Sequence, residues 1–290
     1  MVQLGIDNLF KKVYQPLKKY SWGMLSNDAA LNSQGQHSRV ALLKEKWNLQ
    51  FLFSPEHGLN ALGIDGSAQS NHIDPLTQLN TYSLYGPQFS PPAKVLEKID
   101  GVIMDLPDTG LRFYTYLWSM TYLMEACQNS QKKLLLLDRP NPISGHWDLV
   151  EGPILEEPHF SSFIGRWALP IRHSMTLGEL ALYWQKTRLP DLDLEVIPCE
   201  NWKRHYYFKH WSQPFLAPSP AINMPETYLT YPALCFLEGL NLSEGRGTKM
   251  PFQQFGAPWL DHRKLLNFIE DCSFPGINLS LTQFQPTSGR

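Results

Sequence analysis

The chain has 290 residues, of which 43% are hydrophobic and 18% are charged, and its formal net charge is −2. This composition allows a large buried core and argues against intrinsic disorder. A nearly neutral chain lacks the basic footprint that nucleic-acid-binding proteins usually carry, so we expect no nucleic-acid partner.

The first residues, "MVQLGIDNLFKK", contain no basic segment followed by a long apolar stretch, and the chain has no wholly apolar run long enough to cross a bilayer. The sequence therefore predicts no signal peptide and no membrane span, and a cytoplasmic location. The cysteines are widely spaced and form no Cys-x-x-Cys pair, which indicates thiols and neither a disulfide framework nor a zinc site. They are Cys127, Cys199, Cys235 and Cys272.

Short apolar runs alternate with helical patterns through the first 200 residues. The apolar runs lie in 22–27, 49–58, 100–110, 133–142 and 194–200, and the helical patterns are 37–47, 92–99, 115–129 and 176–188. Thr176, followed three residues later by Glu179, predicts a capping box at the start of the last of these helices. Continuous apolar strands that alternate with helices are typical of a parallel sheet covered on both faces. The sequence therefore predicts an α/β fold with a Rossmann-like domain over residues 1–200.

Two common catalytic or cofactor motifs are missing from this pattern. No Gly-x-Gly-x-x-Gly follows the first strand and no phosphate loop ending in Gly-Lys-Ser/Thr occurs, so we expect no nucleotide cofactor and, more generally, no cofactor. No Gly-x-Ser-x-Gly is present, which argues against a serine hydrolase of that kind.

Polar side chains follow every predicted strand, at the end where ligands bind in open α/β sheets. In chain order these are Asn27, Glu56, His57, Asp105, Asp108, Asp138, Arg139 and Asn141. Turn or cap formation is enough to explain Asn27, Asp138 and Asn141. It does not explain Glu56, because glutamate is a weak turn former, and small residues after it predict a loose loop. We therefore expect a functional site at Glu56, with Asn27, Asp105 and Asn141 at the same edge.

Other candidates admit two interpretations. Glu244 and Arg246 stand between glycines, so they form either a ligand-gripping loop or a surface turn with an internal ion pair. Glu56, His57, His72, Asp74 and Asp105 can be drawn as metal ligands, but their spacing matches no ligand signature, so we expect no metal.

Eight successive blocks together resemble one family, the NamZ-type exo-β-N-acetylmuramidases. They are "LFSPEHGL", "YSLYG", "DLPDTGLRFYTYLWSM", "LLDRPNPISG", "VEGPIL", "RHSMTLGELA", "PSPAINMPETYLTYP" and "LSEGRGTKMPFQQFGAPW". The resemblance implies a glycoside hydrolase that releases N-acetylmuramic acid from the non-reducing end of peptidoglycan fragments in cell-wall recycling. Its substrate would be a muropeptide or a MurNAc-GlcNAc saccharide. It also implies a Rossmann-like domain joined to a smaller C-terminal α/β domain, here residues 201–290.

The chain departs from the family pattern in ways that bear on activity. Pro107 stands where the family usually has Gln, and "LNALGIDG" differs from the usual segment after the Glu-His pair. Family members usually continue beyond the end of this chain, so the C-terminal domain is expected to be incomplete. The alternative is therefore a peptidoglycan-fragment binding protein that has lost turnover.

Glycosidic cleavage needs one carboxylic acid to protonate the leaving oxygen and a second group to attack, stabilise or activate water. We expect Glu56 to be the acid, tuned by His57, and Glu244, Asp105 or Asp108 to be the second group. Substrate-binding candidates include two arginines for the lactyl carboxylate and aromatic residues for the sugar ring. The full set is Asn27, Arg112, Tyr114, Asn141, Glu151, His173, Arg246 and Trp259, with Tyr116 equally well explained as core.

Overall fold

The computed structural model of the chain describes residues 1–211, 213–271 and 276–287. It divides into two compact units, Met1–Pro220 and a second unit that begins at Ala221. The sequence-based division stood at residue 200. None of the helices in the described ranges is both long and apolar enough to cross a bilayer.

The first unit is built on one seven-stranded sheet. Its strands are β1 (Ser21–Ser26), β2 (Asn48–Ser54), β3 (His72–Ile73), β4 (Asn80–Ser83), β5 (Gly101–Asp105), β6 (Lys133–Leu137) and β7 (Leu194–Ile197). Their order is β3-β4-β2-β1-β5-β6-β7, and all neighbours are parallel except the antiparallel pair β3 and β4. The predicted α/β fold with a parallel sheet is confirmed.

Helices connect the parallel strands, as the βα alternation of the sequence requires. They are α1 (Gly5–Leu9), α2 (Ser38–Lys44), α3 (Ala93–Leu96), α4 (Thr115–Asn129), α5 (Glu157–Phe160) and α6 (Leu177–Arg188). Short 3₁₀ helices cover Lys12–Lys19, Trp147–Leu149 and Phe208–His210. The capping box predicted for α6 is present, with Thr176 accepting from the Glu179 N–H and Glu179 accepting from the Thr176 N–H.

The strand registers align the carboxyl ends of the central strands. Ser26 lies opposite Asp105 across β1 and β5, and Leu25 lies opposite Phe53 across β1 and β2. On the other side of β5, Met104 lies opposite Leu136 of β6. Asp105 ends β5, and Asn27, Glu56 and Asn141 follow β1, β2 and β6, so all four lie at one edge of the sheet, as predicted.

Both faces of the sheet are covered by apolar side chains. On one face, Trp22 and Met24 of β1 belong to a buried cluster with Leu135 and Leu137 of β6. On the other face, the rings of Trp118 of α4 and Trp184 of α6 lie 5.6 Å apart. Burying each large apolar side chain contributes about 1.5–3 kcal/mol, so these layers hold the strand ends in fixed positions.

The N-terminal segment is fixed between the ends of β6 and β7. The Gly5 N–H donates to the Asp138 carbonyl at 2.9 Å, and Gln3 and Glu200 exchange two backbone bonds of 2.9 Å. A Cβ at position 5 would lie 2.4 Å from the Asp138 nitrogen. Only glycine permits so close a backbone approach, so α1 is anchored at this point.

The second unit contains α7 (Thr227–Leu234), a 3₁₀ helix at Cys235–Gly239 and α8 (His262–Asp271). An isolated bridge pairs Ser243 with Gly256, and the rings of Tyr231 and Phe252 lie 4.6 Å apart. The last predicted helix, 261–272, matches α8, although Cys272 lies outside the described residues.

Candidate functional site

Glu56 follows β2 directly after Pro55, and its side chain is buried, with the residue 6% exposed. Its Oε1 atom accepts the Gly66 N–H at 2.8 Å. Burial and the negative charge of Glu56 raise the pKa of the nearby Tyr85 to about 12, so this phenol keeps its proton. The Glu56 carboxylate is therefore bound by a backbone donor and lies near a neutral phenol.

His57 is held by the loop that follows it. Its φ is 67°, in the left-handed region that is uncommon for residues other than glycine. Its Nδ1 atom lies 2.8 Å from the Gly63 carbonyl oxygen, which can only accept, so Nδ1 carries the hydrogen. In the neutral ring Nε2 is then the acceptor, while Asp65 Oδ1 lies 3.7 Å from Nδ1.

The loop over residues 57–66 was expected to be loose, because it is rich in small residues. Its backbone is instead bonded to both site residues, through Gly63 to His57 and through Gly66 to Glu56. Gly66, with a φ of 70°, adopts the left-handed backbone conformation that favours glycine, and this turn directs its N–H at Glu56.

Asp105 is fully buried at the end of β5 and is held by an arginine. Arg139 donates from Nε to Oδ1 at 2.5 Å and from Nη2 to Oδ2 at 2.9 Å, and the Ser38 hydroxyl also donates to Oδ2. Burial alone would lower the pKa of Arg139, but the charge of Asp105 outweighs it and the pKa is raised. Both carboxylate oxygens are therefore engaged in a buried ion pair, which joins β5 to the segment after β6.

Asp74, drawn from the sequence as a possible metal ligand, is engaged in the same way. Arg39 donates to its Oδ2 atom at 2.9 Å, and the Thr77 hydroxyl donates to the same oxygen at 2.6 Å. Asp74 and Asp105 thus each bind an arginine, which counts against the metal-site interpretation.

Asp108 and His173 form a second buried pair close to the sheet edge. Asp108 Oδ2 accepts the Gly110 N–H at 3.0 Å and lies 3.6 Å from His173 Nε2. His173 Nδ1 accepts the Met175 N–H at 3.2 Å, which places the imidazole hydrogen of the neutral ring on Nε2. Among the residues that the structure describes, no hydrogen-bond partner reaches Asp108 Oδ1 or His173 Nε2. Such buried groups are costly when left unpaired, so they offer an acceptor and a donor to a ligand.

Asn27 is linked to His57 through Tyr116. Asn27 Nδ2 lies 3.1 Å from the Tyr116 hydroxyl, and the Tyr116 ring lies 6.4 Å from that of His57. Tyr116 is fully buried and its ring packs 4.8 Å from that of Tyr114, so Tyr116 occupies the core position that the sequence allowed.

Asn141 uses both ends of its side-chain amide in local structure. Its Nδ2 atom donates to the Met175 carbonyl at 3.0 Å, and its Oδ1 atom accepts the Ile143 N–H at 3.0 Å. These bonds match the turn interpretation of Asn141 and fix the segment that carries His173.

Arg112 and Glu151 lie on two segments that each pair through the backbone with the chain at residues 171–172. Arg112 Nη1 donates to the carbonyls of Pro153 and Leu169 at 2.6 and 2.5 Å, and burial lowers the pKa of this arginine. Glu151 pairs with Arg172 through the backbone, and its side chain is exposed.

In the second unit, Glu244 and Arg246 form an ion pair with each other, which is one of the two arrangements that the sequence allowed. Arg246 Nε lies 3.3 Å from Glu244 Oε1, and Arg246 Nη2 lies 2.7 Å from Glu238 Oε1. Glu244 is buried, whereas Trp259 is 60% exposed. The arginine is therefore already paired with two carboxylates of its own unit.

Sequence reasoning missed Tyr85, whose pKa is raised by burial and by the charge of the nearby Glu56. Tyr85 follows β4, a four-residue strand of mostly polar sequence, so no apolar run predicts a strand there. The signal available in the sequence was the block "YSLYG", which contains Tyr85.

Comparison with known proteins gives matches along nearly the whole chain. The model "Exo-beta-N-acetylmuramidase NamZ, N-terminal" matches residues 22–226, and the corresponding C-terminal model matches residues 229–290. The chain is 38% identical over 288 residues to the peptidoglycan beta-N-acetylmuramidase NamZ of Bacillus subtilis (strain 168). That alignment covers 99% of this chain and 69% of the relative.

Two crystal structures of DUF1343 family proteins from Bacteroides fragilis NCTC 9343 share the fold. One has a TM-score of 0.85 at 31% identity and covers 95% of this chain and 70% of its own. The other has a TM-score of 0.74 at 35% identity and covers 89% of this chain and 67% of its own.

Proposed function

Because the chain belongs to the NamZ exo-β-N-acetylmuramidase family, we propose that it is a glycosidase that releases N-acetylmuramic acid from the non-reducing end of peptidoglycan fragments. The observation that carries the proposal is the buried Glu56 carboxylate at the carboxyl end of β2, which accepts the Gly66 N–H. A carboxyl group held in this way at a sheet edge has the rigid support that acid–base chemistry needs.

The proposed substrate is a MurNAc-GlcNAc saccharide or a muropeptide, and the proposed role is cell-wall recycling. Among the described residues, Cys127, Cys199 and Cys235 carry free thiols. Free thiols are usual in a reducing compartment, which supports the proposal that the protein works in the cytoplasm.

Hydrolysis breaks the bond between the anomeric carbon and the bridging oxygen of the glycoside. The bridging oxygen takes up one proton, a water oxygen becomes bonded to the anomeric carbon, and that water gives up one proton. One water is consumed and no proton is gained or lost overall. Two ionisable groups are needed on the protein to move these protons or to hold the charge that develops on the sugar.

We propose Asp108 as the partner of Glu56 in this reaction. Among the three candidates, Asp105 has both oxygens bound by Arg139, and Glu244 is paired with Arg246. Asp108 instead keeps Oδ1 without a partner among the described residues, and His173 lies beside its other oxygen.

The lactyl carboxylate of muramic acid calls for a cation, and we propose Arg112 over Arg246. Arg246 already binds Glu238 and Glu244, whereas both bonds described for Arg112 come from Nη1 to carbonyl oxygens. Because these bonds go to neutral carbonyl oxygens, the positive charge of Arg112 is not balanced by a carboxylate in them and can attract an anionic ligand.

The experiment is to measure turnover of a chromogenic muramic acid glycoside by the wild type and by Glu56→Gln. We expect kcat to fall about 10²–10⁴-fold in the variant, because glutamine cannot transfer the proton, while KM changes little. Glu97→Gln, at an exposed position in the turn after α3, is the matched control and should retain wild-type kcat. Binding of the glycoside without turnover by the wild type would favour the alternative of a fragment-binding protein.

A further inference from the structure

The His173 side chain lies deeper in the protein than that of Asp108. It has no exposed surface, whereas the Asp108 side chain is 6% exposed. Because His173 Nδ1 accepts the Met175 N–H, the hydrogen of the neutral ring is on Nε2. Within the described part of the chain Nε2 has no hydrogen-bond partner, and Asp108 Oδ2 lies 3.6 Å from it. This donor is therefore placed to serve Asp108, and a ligand at the sheet edge meets Asp108 first.

Asn141 supports both segments that carry this pair. Its Nδ2 atom donates to the Met175 carbonyl at 3.0 Å, two residues after His173. On the other side, Gly110 turns with a φ of 82°, and a Cβ at this position would lie 2.4 Å from Asn141 Oδ1. The turn after Asp108 therefore packs directly on the same amide, and the close approach requires glycine.

Backbone pairing also joins the two segments. The Arg112 N–H donates to the Ile171 carbonyl at 2.7 Å, and Leu111 forms an isolated bridge with Arg172. The histidine ring is therefore carried by a backbone that is bonded to the segment of its neighbour, so the separation of Asp108 and His173 is set by the fold.

The two oxygens of Asp108 have different surroundings. Oδ2 accepts the Gly110 N–H at 3.0 Å and faces His173, whereas Oδ1 has no partner among the described side chains and backbone groups. A separation of 3.6 Å exceeds the usual range of about 2.7–3.2 Å for a hydrogen bond. Such contacts in active sites are often long without substrate and shorten when it binds. A shift of a few tenths of an ångström would be enough here.

We propose that His173 is a positioning residue for Asp108. Its Nε2–H donates to Asp108 Oδ2 when substrate is bound, and this bond, with that from Gly110, fixes the carboxylate so that Oδ1 is the oxygen that acts in the reaction. The inference rests on the proposed function of Asp108. It gives His173 a role other than the substrate binding predicted from the sequence.

The test compares turnover of a chromogenic muramic acid glycoside by His173→Phe and His173→Gln. Both variants lose the acceptor for the Met175 N–H, but glutamine keeps an N–H donor near the position of Nε2. We expect His173→Phe to lower kcat about 10–100-fold with little change in KM, because a carboxylate that is no longer held loses its alignment. His173→Gln should recover most of this loss.

The matched control is His146→Phe. His146 Nδ1 also lies 3.6 Å from a carboxylate oxygen, that of Asp148, but both side chains are exposed. This variant should keep the wild-type kcat. Equal losses in His173→Phe and His173→Gln would overturn the inference, and so would a loss confined to KM, which is the result expected of a substrate contact.

A double-mutant cycle tests whether His173 acts through Asp108. If it does, adding His173→Phe to Asp108→Asn should change kcat by less than about threefold, because the group that it positions is already disabled. Losses that multiply would show that the two residues act independently and would refute the positioning role.

A further measurement does not depend on activity. The ¹⁵N signals of the His173 ring, assigned by their loss in His173→Phe, should show a neutral ring protonated on Nε2. A ring protonated on Nδ1 would overturn the inference, because Nε2 would then have no hydrogen to donate. An Asp108→Asn variant with wild-type kcat would instead refute the proposed function of Asp108, whereas a wild-type kcat in His173→Phe alone would refute only the role of His173.

Discussion

The two aspartates of the segment "DLPDTG" differ in what their carboxylates contact. Asp105 binds Arg139 through both oxygens inside the protein, whereas Asp108 contacts Gly110 and lies beside His173. The same side-chain chemistry three residues apart therefore forms a buried ion pair in one case and, as we propose, takes part in the reaction in the other.

We expect substitution of these two aspartates by asparagine to affect different properties. Asp105→Asn leaves the buried Arg139 without its counter-ion, and breaking such a pair costs about 3–5 kcal/mol of unfolding free energy. Asp108→Asn should lower kcat at least about tenfold and change unfolding by less than about 1.5 kcal/mol, since it loses no ion pair with arginine. Urea unfolding and glycoside turnover measured on both variants check this. A stable, active Asp105→Asn together with a fully active Asp108→Asn would contradict the assignment.

At the residue scale, the sequence predicts the placement of Glu56 but not its environment. An apolar run followed by Pro55 and a glutamate is visible in the sequence, because strand ends and weak turn formers have local signals. The proximity of Tyr85 depends on the pairing of β2 with β4, which is not local. Likewise, two candidate carboxylates of equal appearance, Asp105 and Asp108, are distinguished only by where Arg139 lies in the fold.

At the scale of elements, α6 is defined by its first turn. Thr176 accepts the Glu179 N–H at 3.1 Å, and its hydroxyl donates to Asp138 Oδ2 at 2.8 Å. Thr176 therefore connects the start of α6 to the end of β6.

We expect Thr176→Ala to destabilise the protein by about 1–2 kcal/mol, because it removes the helix cap and one donor to a buried carboxylate. Thr187→Ala, in the last turn of the same helix, is the control. Its hydroxyl donates to the Tyr183 carbonyl at an exposed site, so its loss should cost less than about 0.5 kcal/mol. Urea denaturation followed by circular dichroism measures both, and equal losses in the two variants would argue against the capping role.

The elements that the sequence predicts are those with a strong internal pattern. The helix 115–129 coincides with α4, and the apolar run at 133 begins β6. Strands β3 and β4 were missed, because two to four residues of mixed polarity carry too little periodicity to stand out. They are held by pairing with β2 and with each other, which is a tertiary effect.

At the scale of the whole molecule, Asp138 makes the stability of the protein depend on pH. Burial raises the pKa of Asp138 to about 7, although Gly178, Thr176 and the Arg139 N–H donate to the carboxylate and lower it. The usual value is 3.8. A carboxyl group with a raised pKa in the folded state stabilises the fold fully below its unfolded pKa, and this contribution is lost as the pH rises through about 7.

We therefore expect the Tm of the wild type to fall relative to that of Asp138→Asn between about pH 4 and pH 7, the interval in which Asp138 is ionised in the unfolded chain but protonated in the folded protein. The asparagine stays neutral throughout, so the difference between the two curves reports this one group. Asp148→Asn, at an exposed position, should show no such divergence from the wild type. Differential scanning calorimetry across this range measures it, and parallel curves for wild type and Asp138→Asn would contradict the raised pKa.

The anchoring of α1 also has a consequence for how the chain folds during synthesis. Gly5 donates to Asp138, and Gln3 pairs with Glu200, so residues near the start of this unit bind to residues that are synthesised much later. Helix α1 therefore cannot dock on the sheet until β7 has been translated, and its apolar side chains stay exposed until then. The apolar residues Val2, Leu4, Ile6 and Leu9, all buried in the finished protein, are accessible to chaperones during that interval. The docking of α1 is therefore expected to be one of the last steps in folding of the first unit.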